Sequence, residues 1–319
     1  MNRKIMSFAP IICMILFSSC LLPYAISVSK EDPFVRVLPY PDSHVTEVEG
    51  VMVHYRLGVA EASRGKILLI HGLGGSTSSF DTVIGPLVDA GYLVVAVDLP
   101  GFGYSGRPEG FDHSQMHRAA LVWQLLDELE RTAGTDPWII LGHSMGGGIA
   151  VAMACQRPGS TRSVVLVAGA LEDRGSLSAA VLRFPPYARW LSIFLERSLI
   201  TEKRFSAILA KAYGRDPTED EVASYLQPLR AGGTARSLVA MVRTSRSLPL
   251  GQLGSLSMQV DAIWGSEDTF VPLRSVRAIT EELQHLRLHI IEGAGHLPME
   301  SHPEDFVRIL LGLLSSAER

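Results

Sequence analysis

Cysteine is nearly absent from this chain. Three occur in 319 residues, Cys13, Cys20 and Cys155, and two of them fall in the N-terminal segment. A disulfide framework is thereby excluded in any redox compartment. A large excess of one charge is also missing: 29 Lys and Arg stand against 33 Asp and Glu, a net −4 with a pI near 6.2. No global positive field exists to draw in nucleic acid. Charged residues make up only 19% and aromatic residues 7%, with no internal repeat and no low-complexity tract. That composition rules out collagen-like, coiled-coil and disordered-tail chains. Metal-ligand spacing is scarce too. No Cys-x-x-Cys pair exists, and His113 with His117 is an i, i+4 pair without further ligands nearby, read as a solvated helix face. Neither a metal nor a cofactor is expected.

What is present is an apolar globular composition, 47% hydrophobic with a mean hydropathy of +0.20. The length allows one large core plus an insertion. Residues Ile5 to Ser29 carry no charge, with Arg3 and Lys4 before them and Lys30, Glu31 and Asp32 behind. A basic start followed by an apolar run is a secretory or membrane-targeting segment. Three versions stay open. The stretch Leu16-Phe17-Ser18-Ser19-Cys20 resembles a bacterial lipoprotein signal with the lipid on Cys20. The whole run suffices as one anchor, since about 20 residues span a bilayer, although Pro10 and Pro23 interrupt a regular helix. A signal peptide cut near Ser19 or Ala25 is the third. All three take the chain out of the cytosol or tie it to a membrane.

From about residue 44 onward, short β-branched runs alternate with longer helical patterns. Val45–Val48 and Val51–Leu57 flank Glu49-Gly50, which reads as a hairpin. Lys66–His71, Tyr92–Asp98, Trp138–Leu141, Ser163–Val167, Gln259–Trp264 and Arg287–Ile291 are nearly continuous in apolar residues, as parallel strands buried on both faces are. Helical patterns cover His113–Arg131, Met145–Gln156, Leu273–Leu286 and Pro303–Leu314. Strand–helix alternation predicts an open α/β sheet. From Leu171 to about Gly254 only helical pieces occur, which predicts a helical cap over the carboxyl edge of the sheet. The expected division is a targeting segment at 1–29, a first core part at 30–170, the cap at 171–254 and a second core part at 255–319. Within the cap, Tyr187–Arg197 is amphipathic, with Trp190, Leu191, Phe194 and Leu195 largely on one side. Trp190 and Phe194 are expected to line a substrate pocket, or to meet a lipid interface.

The strongest chemical signal is Gly142-His143-Ser144-Met145-Gly146, directly after one predicted strand and directly before a helical run. Small residues on both sides permit a sharp strand-to-helix turn that holds Ser144 out at the edge of the sheet. The helix N-terminus beneath it favours negative charge on a bound intermediate. His71-Gly72-Leu73-Gly74-Gly75 follows the third strand, and Asp98-Leu99-Pro100-Gly101-Phe102-Gly103 follows the fourth. Trp264-Gly265-Ser266-Glu267-Asp268 and Gly293-Ala294-Gly295-His296 follow the last two.

Together these motifs resemble the α/β-hydrolase family, and the likeness runs from about residue 44 to the C-terminus. The resemblance implies a mostly parallel sheet flanked by helices with an inserted helical cap. It also implies a serine nucleophile, Ser144, with Asp268 as the acid and His296 as the base, in the chain order that this fold uses. The backbone N–H groups of Leu73 and Met145 would form the oxyanion hole. Glu267 stands beside Asp268, and Glu172 and Asp173 follow the preceding strand, where some relatives carry the acid. His71 and Asp98 read as structural loop residues, His302 as a surface residue and Cys155 as a small buried hydrophobe. Serine at position 144 disfavours the aspartate-nucleophile dehalogenases and epoxide hydrolases of this fold.

The function expected is a membrane-attached or exported serine hydrolase cleaving carboxylic esters of apolar acyl substrates, such as a monoacylglycerol. The family's anchored monoacylglycerol-lipase-like members are the nearest likeness. The alternatives are a carbon–carbon bond hydrolase of ring-fission products, whose relatives are usually cytosolic, and a non-catalytic binding protein on the same fold.

Overall fold

A computed structural model describes residues 19–29, 38–62, 64–171, 180–283 and 285–316. Every apolar run expected as a strand is one. They are β1 (Ser43–Val48), β2 (Val51–Gly58), β3 (Gly65–Ile70), β4 (Tyr92–Val97), β5 (Trp138–His143), β6 (Thr161–Val167), β7 (Gln259–Gly265) and β8 (Arg287–Ile291). They pair in one eight-stranded sheet of order β1-β2-β4-β3-β5-β6-β7-β8. The pairs β1–β2 and β2–β4 are antiparallel and all the others parallel. Glu49 and Gly50 both adopt positive φ, 51° and 77°, and close the β1–β2 hairpin between Val48 and Val51. Two left-handed residues match the twist of the flanking strands, which is why a two-residue turn suffices.

Helices α1 (Asp81–Asp89), α2 (Gln115–Ala133) and α3 (Met145–Gln156) follow β3, β4 and β5 in turn. Between β6 and β7 lie α4 (Pro185–Phe194), α5 (Glu202–Tyr213), α6 (Glu219–Leu229) and α7 (Thr234–Thr244). After β7 and β8 come α8 (Val276–Glu282), α9 (Pro298–Ser301) and α10 (Pro303–Ser316). The helix expected over Leu273–Leu286 is shorter. A 3-10 turn at Leu273–Ser275 opens it, and the helix ends at Glu282.

The sheet divides two cores. Leu68, Ile70, Val95 and Val97 point to one face, where they meet Val122 and Ile149 of α2 and α3. Ile67, Leu69, Val94 and Ala96 point to the other, against Val83 of α1 and Phe306 and Leu310 of α10. The alternation is the period-2 side-chain rule of a strand. Residues Gly146 to Ala154 of α3 are all buried, so this helix lacks a polar face. The parallel strands all aim their carboxyl ends at one edge, where the loops after β3, β5, β7 and β8 gather.

Candidate active site

Ser144 sits between β5 and α3 with φ 49° and ψ −117°, a conformation that costs a non-glycine residue energy and persists only when its surroundings enforce it. Several contacts enforce it here. Ser144 N–H donates to the Val167 carbonyl at 2.9 Å, and the Ser144 carbonyl accepts from Gly147 and Ala170, both at 2.9 Å. Gly146 packs so tightly that a Cβ there would lie 2.4 Å from the Ile70 carbonyl oxygen, which explains the second glycine of the motif. Gly72 makes a similar approach from the β3 loop: a Cβ on it would lie 3.0 Å from Ser144 Cβ. The Leu73 loop is thus held directly against the serine. Its turn is closed by Gly75 N–H donating to the Gly72 carbonyl at 3.2 Å. Met145 is the first residue of α3, so its N–H has no partner within the helix by construction.

His296 and Asp268 come together from the loops after β8 and β7. His296 Nδ1 lies 2.8 Å from Asp268 Oδ2. Asp268 Oδ1 accepts from the Phe270 and Val271 N–H groups at 2.8 and 2.9 Å, and the Asp268 side chain is fully buried. A carboxylate only accepts, so His296 carries its proton on Nδ1 and leaves the Nε2 lone pair free. The His296 loop is fixed through its backbone: its N–H donates to the Ala212 carbonyl of α5 at 2.6 Å. Glu267, the neighbouring carboxylate, is exposed. Glu172 and Asp173 lie outside the described residues.

Ser144, His296 and Leu73 all border one cavity of about 610 Å³, within the ordinary range of small-molecule pockets. Its walls are largely aliphatic and aromatic, with Leu191, Leu195 and Leu199 on one side and Phe270, Val271 and Leu297 on another. The expectation for Trp190 and Phe194 is corrected here. Leu191 and Leu195 turn to the cavity, whereas Trp190 and Phe194 do not border it. Trp190 Nε1 donates to the Ser19 carbonyl at 2.9 Å, and Phe194 is 51% exposed. The buried residues of α4 are Pro186, Ala188, Ser192 and Ile193, so amphipathic spacing picked out neither its buried face nor the neighbour that covers each part. The N-terminal segment takes the adjacent part. Residues 19–25 are helical, and Arg189 donates to the Pro23 and Ile26 carbonyls at 3.2 and 2.9 Å, capping the end of that helix. Cys20 is half-buried within it. The lipoprotein stretch before Ser19 lies outside the described residues.

Other predicted roles divide. Asp98 is fully buried; its Oδ2 lies 2.7 Å from His54 Nδ1 and accepts from Tyr104 N–H at 2.8 Å, while Oδ1 accepts from Thr77 N–H at 2.6 Å. Burial pushes this carboxyl up, but the His54 bond and charge outweigh it and hold it below the usual range. His71 accepts from Leu99 N–H at 3.0 Å and donates to the Gly72 carbonyl at 2.7 Å; burial lowers its pKa. Both tie loops down, as structural residues do. Cys155 is half-buried and packs against the core. His113 is not on a solvated face. It is 2% exposed, and burial, with Arg118 beside it, lowers its pKa to about 3. It precedes the α2 N-cap Ser114, so the helical i, i+4 relation to His117 never forms. Among the described residues no three His, Cys, Asp or Glu side chains gather as a metal site would require.

Two features escaped the sequence reading. His143 Nε2 donates to the His296 carbonyl at 2.9 Å, with the two rings 4.9 Å apart. Burial, reinforced by His296, holds its pKa well below the ordinary value, so it stays neutral. The position between glycine and serine in the motif was its only signal. The second feature is Glu300, which accepts from Tyr213 Oη at 2.6 Å and Tyr225 Oη at 2.5 Å. Burial raises Glu300 from 4.5 to about 7 despite the lowering effect of those bonds. The unfolded chain ionises this group near 4.5 and the folded protein near 7, so unfolding releases a proton between those values. Its contribution is complete below 4.5 and lost as pH rises through 7. Glu300→Gln cannot titrate. Between pH 5 and pH 8 its Tm is expected to fall less than that of the unmodified protein, by about 5 °C. Thermal unfolding across that range checks this, and parallel profiles would contradict it.

The alpha/beta hydrolase fold family model matches residues 66–303. An uncharacterized hydrolase of Bacillus subtilis, YugF, is 28% identical over 259 residues, covering 81% of this chain and 92% of that one. The 2-hydroxy-6-oxo-6-phenylhexa-2,4-dienoate hydrolase of Burkholderia cepacia is 26% identical, covering 85% and 96%. Among solved structures, a membrane phospholipase A superposes with a TM-score of 0.70 at 22% identity over the full length of both chains. With a match across most of its length and the mostly parallel sheet that carries it, the chain belongs to the alpha/beta hydrolase family.

Proposed function

We propose that this hydrolase cleaves carboxylic esters of apolar acyl substrates through an acyl-enzyme on Ser144. The observation that carries the reading is the His296–Asp268 pair at the wall of the apolar cavity that also holds Ser144. His296 Nε2 takes the hydroxyl proton as Ser144 Oγ attacks the ester carbonyl carbon. The Leu73 and Met145 N–H groups face the oxyanion that forms. Collapse of the intermediate expels the alcohol, which receives the proton from His296. Water, deprotonated by the same histidine, then releases the acid. Asp268 holds the imidazole in the required tautomer and stabilises its charged form.

The carbon–carbon bond hydrolase reading draws support from relatives such as the Burkholderia cepacia enzyme. A series of p-nitrophenyl esters run beside a ring-fission dienoate separates the two. Rapid turnover of the esters, with little turnover of the dienoate, is expected. The reverse order would overturn the ester reading.

The helices α4 to α7 act in this proposal as a cap that shapes the acyl pocket. The N-terminal segment attaches the protein to a membrane. Among the described residues no helix is long and apolar enough to cross a bilayer, so attachment rests on the uncharged run from Ile5 to Ser29. Packing of the C-terminal part of that run on the protein is supported by the bonds from Arg189 and Trp190 to residues 19–26. Full-length protein is expected in the membrane fraction, and a version starting at Lys30 in the supernatant. Full-length protein wholly in the supernatant would contradict attachment. Palmitate labelling that disappears in Cys20→Ser would select the lipoprotein version.

A further inference from the structure

The cavity beside Ser144 is mostly apolar, yet a polar pair that is not part of the triad borders it. Ser79 and Tyr225 both border the cavity, with Ser79 Oγ 3.1 Å from Tyr225 Oη. Ser79 lies in the 3-10 turn Thr77–Phe80, just past the Leu73 loop; a Cβ on Gly75 would lie 3.2 Å from its Oγ. Tyr225 reaches in from α6. Behind the pair stands Glu300, which also binds Tyr213 at the end of α5.

The donors can be counted. Ionised Glu300 only accepts, so the hydroxyl protons of Tyr213 and Tyr225 are both committed to it. Tyr225 Oη is left as an acceptor, and the Ser79 hydroxyl proton goes either to it or to Glu300, the two acceptors that Ser79 meets. Ser79, which borders the cavity, then has lone pairs to accept with and no proton to offer. An arrangement of this kind accepts a hydrogen bond from a ligand and gives none. A purely aliphatic chain would gain nothing from it, because polar groups facing such a chain lose their water without replacement.

We propose that Ser79 and Tyr225 form a subsite for a free hydroxyl group carried by the ester substrate, with Glu300 fixing the direction of the bond by holding the Tyr225 proton. The inference rests on the ester-hydrolase reading above. Two sources share this chemistry: a polyol ester, with the hydroxyl on the alcohol side, and a hydroxyacyl ester, with it on the acid side.

Two matched substrate pairs distinguish them at about pH 8, where Glu300 is ionised. One compares glycerol monobutyrate with propyl butyrate, the other ethyl hydroxybutyrate with ethyl butyrate. In the unmodified protein, kcat/KM for the hydroxylated member of one pair should exceed that of the plain member by about tenfold, the worth of one well-formed hydrogen bond. The pair that shows it identifies the side. Ser79→Ala and Tyr225→Phe should each bring that ratio close to one, mainly through KM. Tyr213→Phe, which changes no group on the cavity wall, should lower Tm and keep the ratio. A merely structural role would depress both members of a pair equally. A ratio near one for both pairs in the unmodified protein, or a ratio kept in both Ser79→Ala and Tyr225→Phe, would overturn the subsite while leaving ester hydrolysis standing. No turnover of any of the four esters would overturn the ester reading and the subsite together.

Discussion

Ser144→Ala is expected to lower kcat for a p-nitrophenyl ester by about 10⁴- to 10⁶-fold, because the covalent route is lost entirely. What remains is water attack assisted by the oxyanion donors, which are backbone groups and survive the substitution. Folding should be unaffected. Alanine has the same Cβ that serine already places at φ 49°, and the bonds from Ser144 to Val167, Gly147 and Ala170 all use backbone atoms. An unchanged Tm beside that loss is therefore part of the expected result. Activity within about tenfold of the unmodified protein would remove Ser144 from the nucleophile role.

Asp268→Asn should cost about 10⁴-fold in kcat, as the loss of the acid does in other Ser-His-Asp hydrolases. The reason is the proton inventory at His296. Asp268 accepts from three N–H groups: Phe270, Val271 and His296 Nδ1. Asparagine brings an NH₂ that must point somewhere. Its carbonyl oxygen is the better fit to the two backbone donors, so the NH₂ turns to His296 and selects the tautomer with the proton on Nε2. That tautomer cannot accept from Ser144. Glu267→Gln, one residue away on an exposed side chain, should stay within about twofold, as ordinary surface changes do. Steady-state rates of the two variants side by side check the assignment. Equal losses would contradict it.

The strands were legible in the sequence because a parallel strand buried on both faces must be apolar at nearly every position, as Trp138–Leu141 and Ser163–Val167 are. The three candidate site residues stood out in the sequence because each sits in a tight loop just after a strand, where packing demands glycine. The packing at Gly72, Gly146 and Gly265 is close enough to exclude any side chain. What could not be read depends on neighbours distant in the chain. Trp190, Leu191, Phe194 and Leu195 divide among the N-terminal segment, the cavity and solvent, and only tertiary structure shows that residues 19–29 claim the Trp190 part. Glu300 meets Tyr225 and Tyr213 from 75 and 87 positions away, and nothing local distinguishes it from a surface glutamate. His113 was misread because the start of α2 falls at Gln115, so the helical spacing assumed for it does not apply.

The central claim is that Ser144 is a nucleophile activated by His296. A fluorophosphonate probe tests it directly, since its phosphorus is attacked by an activated serine and the adduct stays on the protein. Incubation of folded full-length protein, followed by peptide mass spectrometry, should place one adduct on Ser144, and labelling should be lost in His296→Ala. An adduct on another residue, or no adduct on folded protein, would contradict the account.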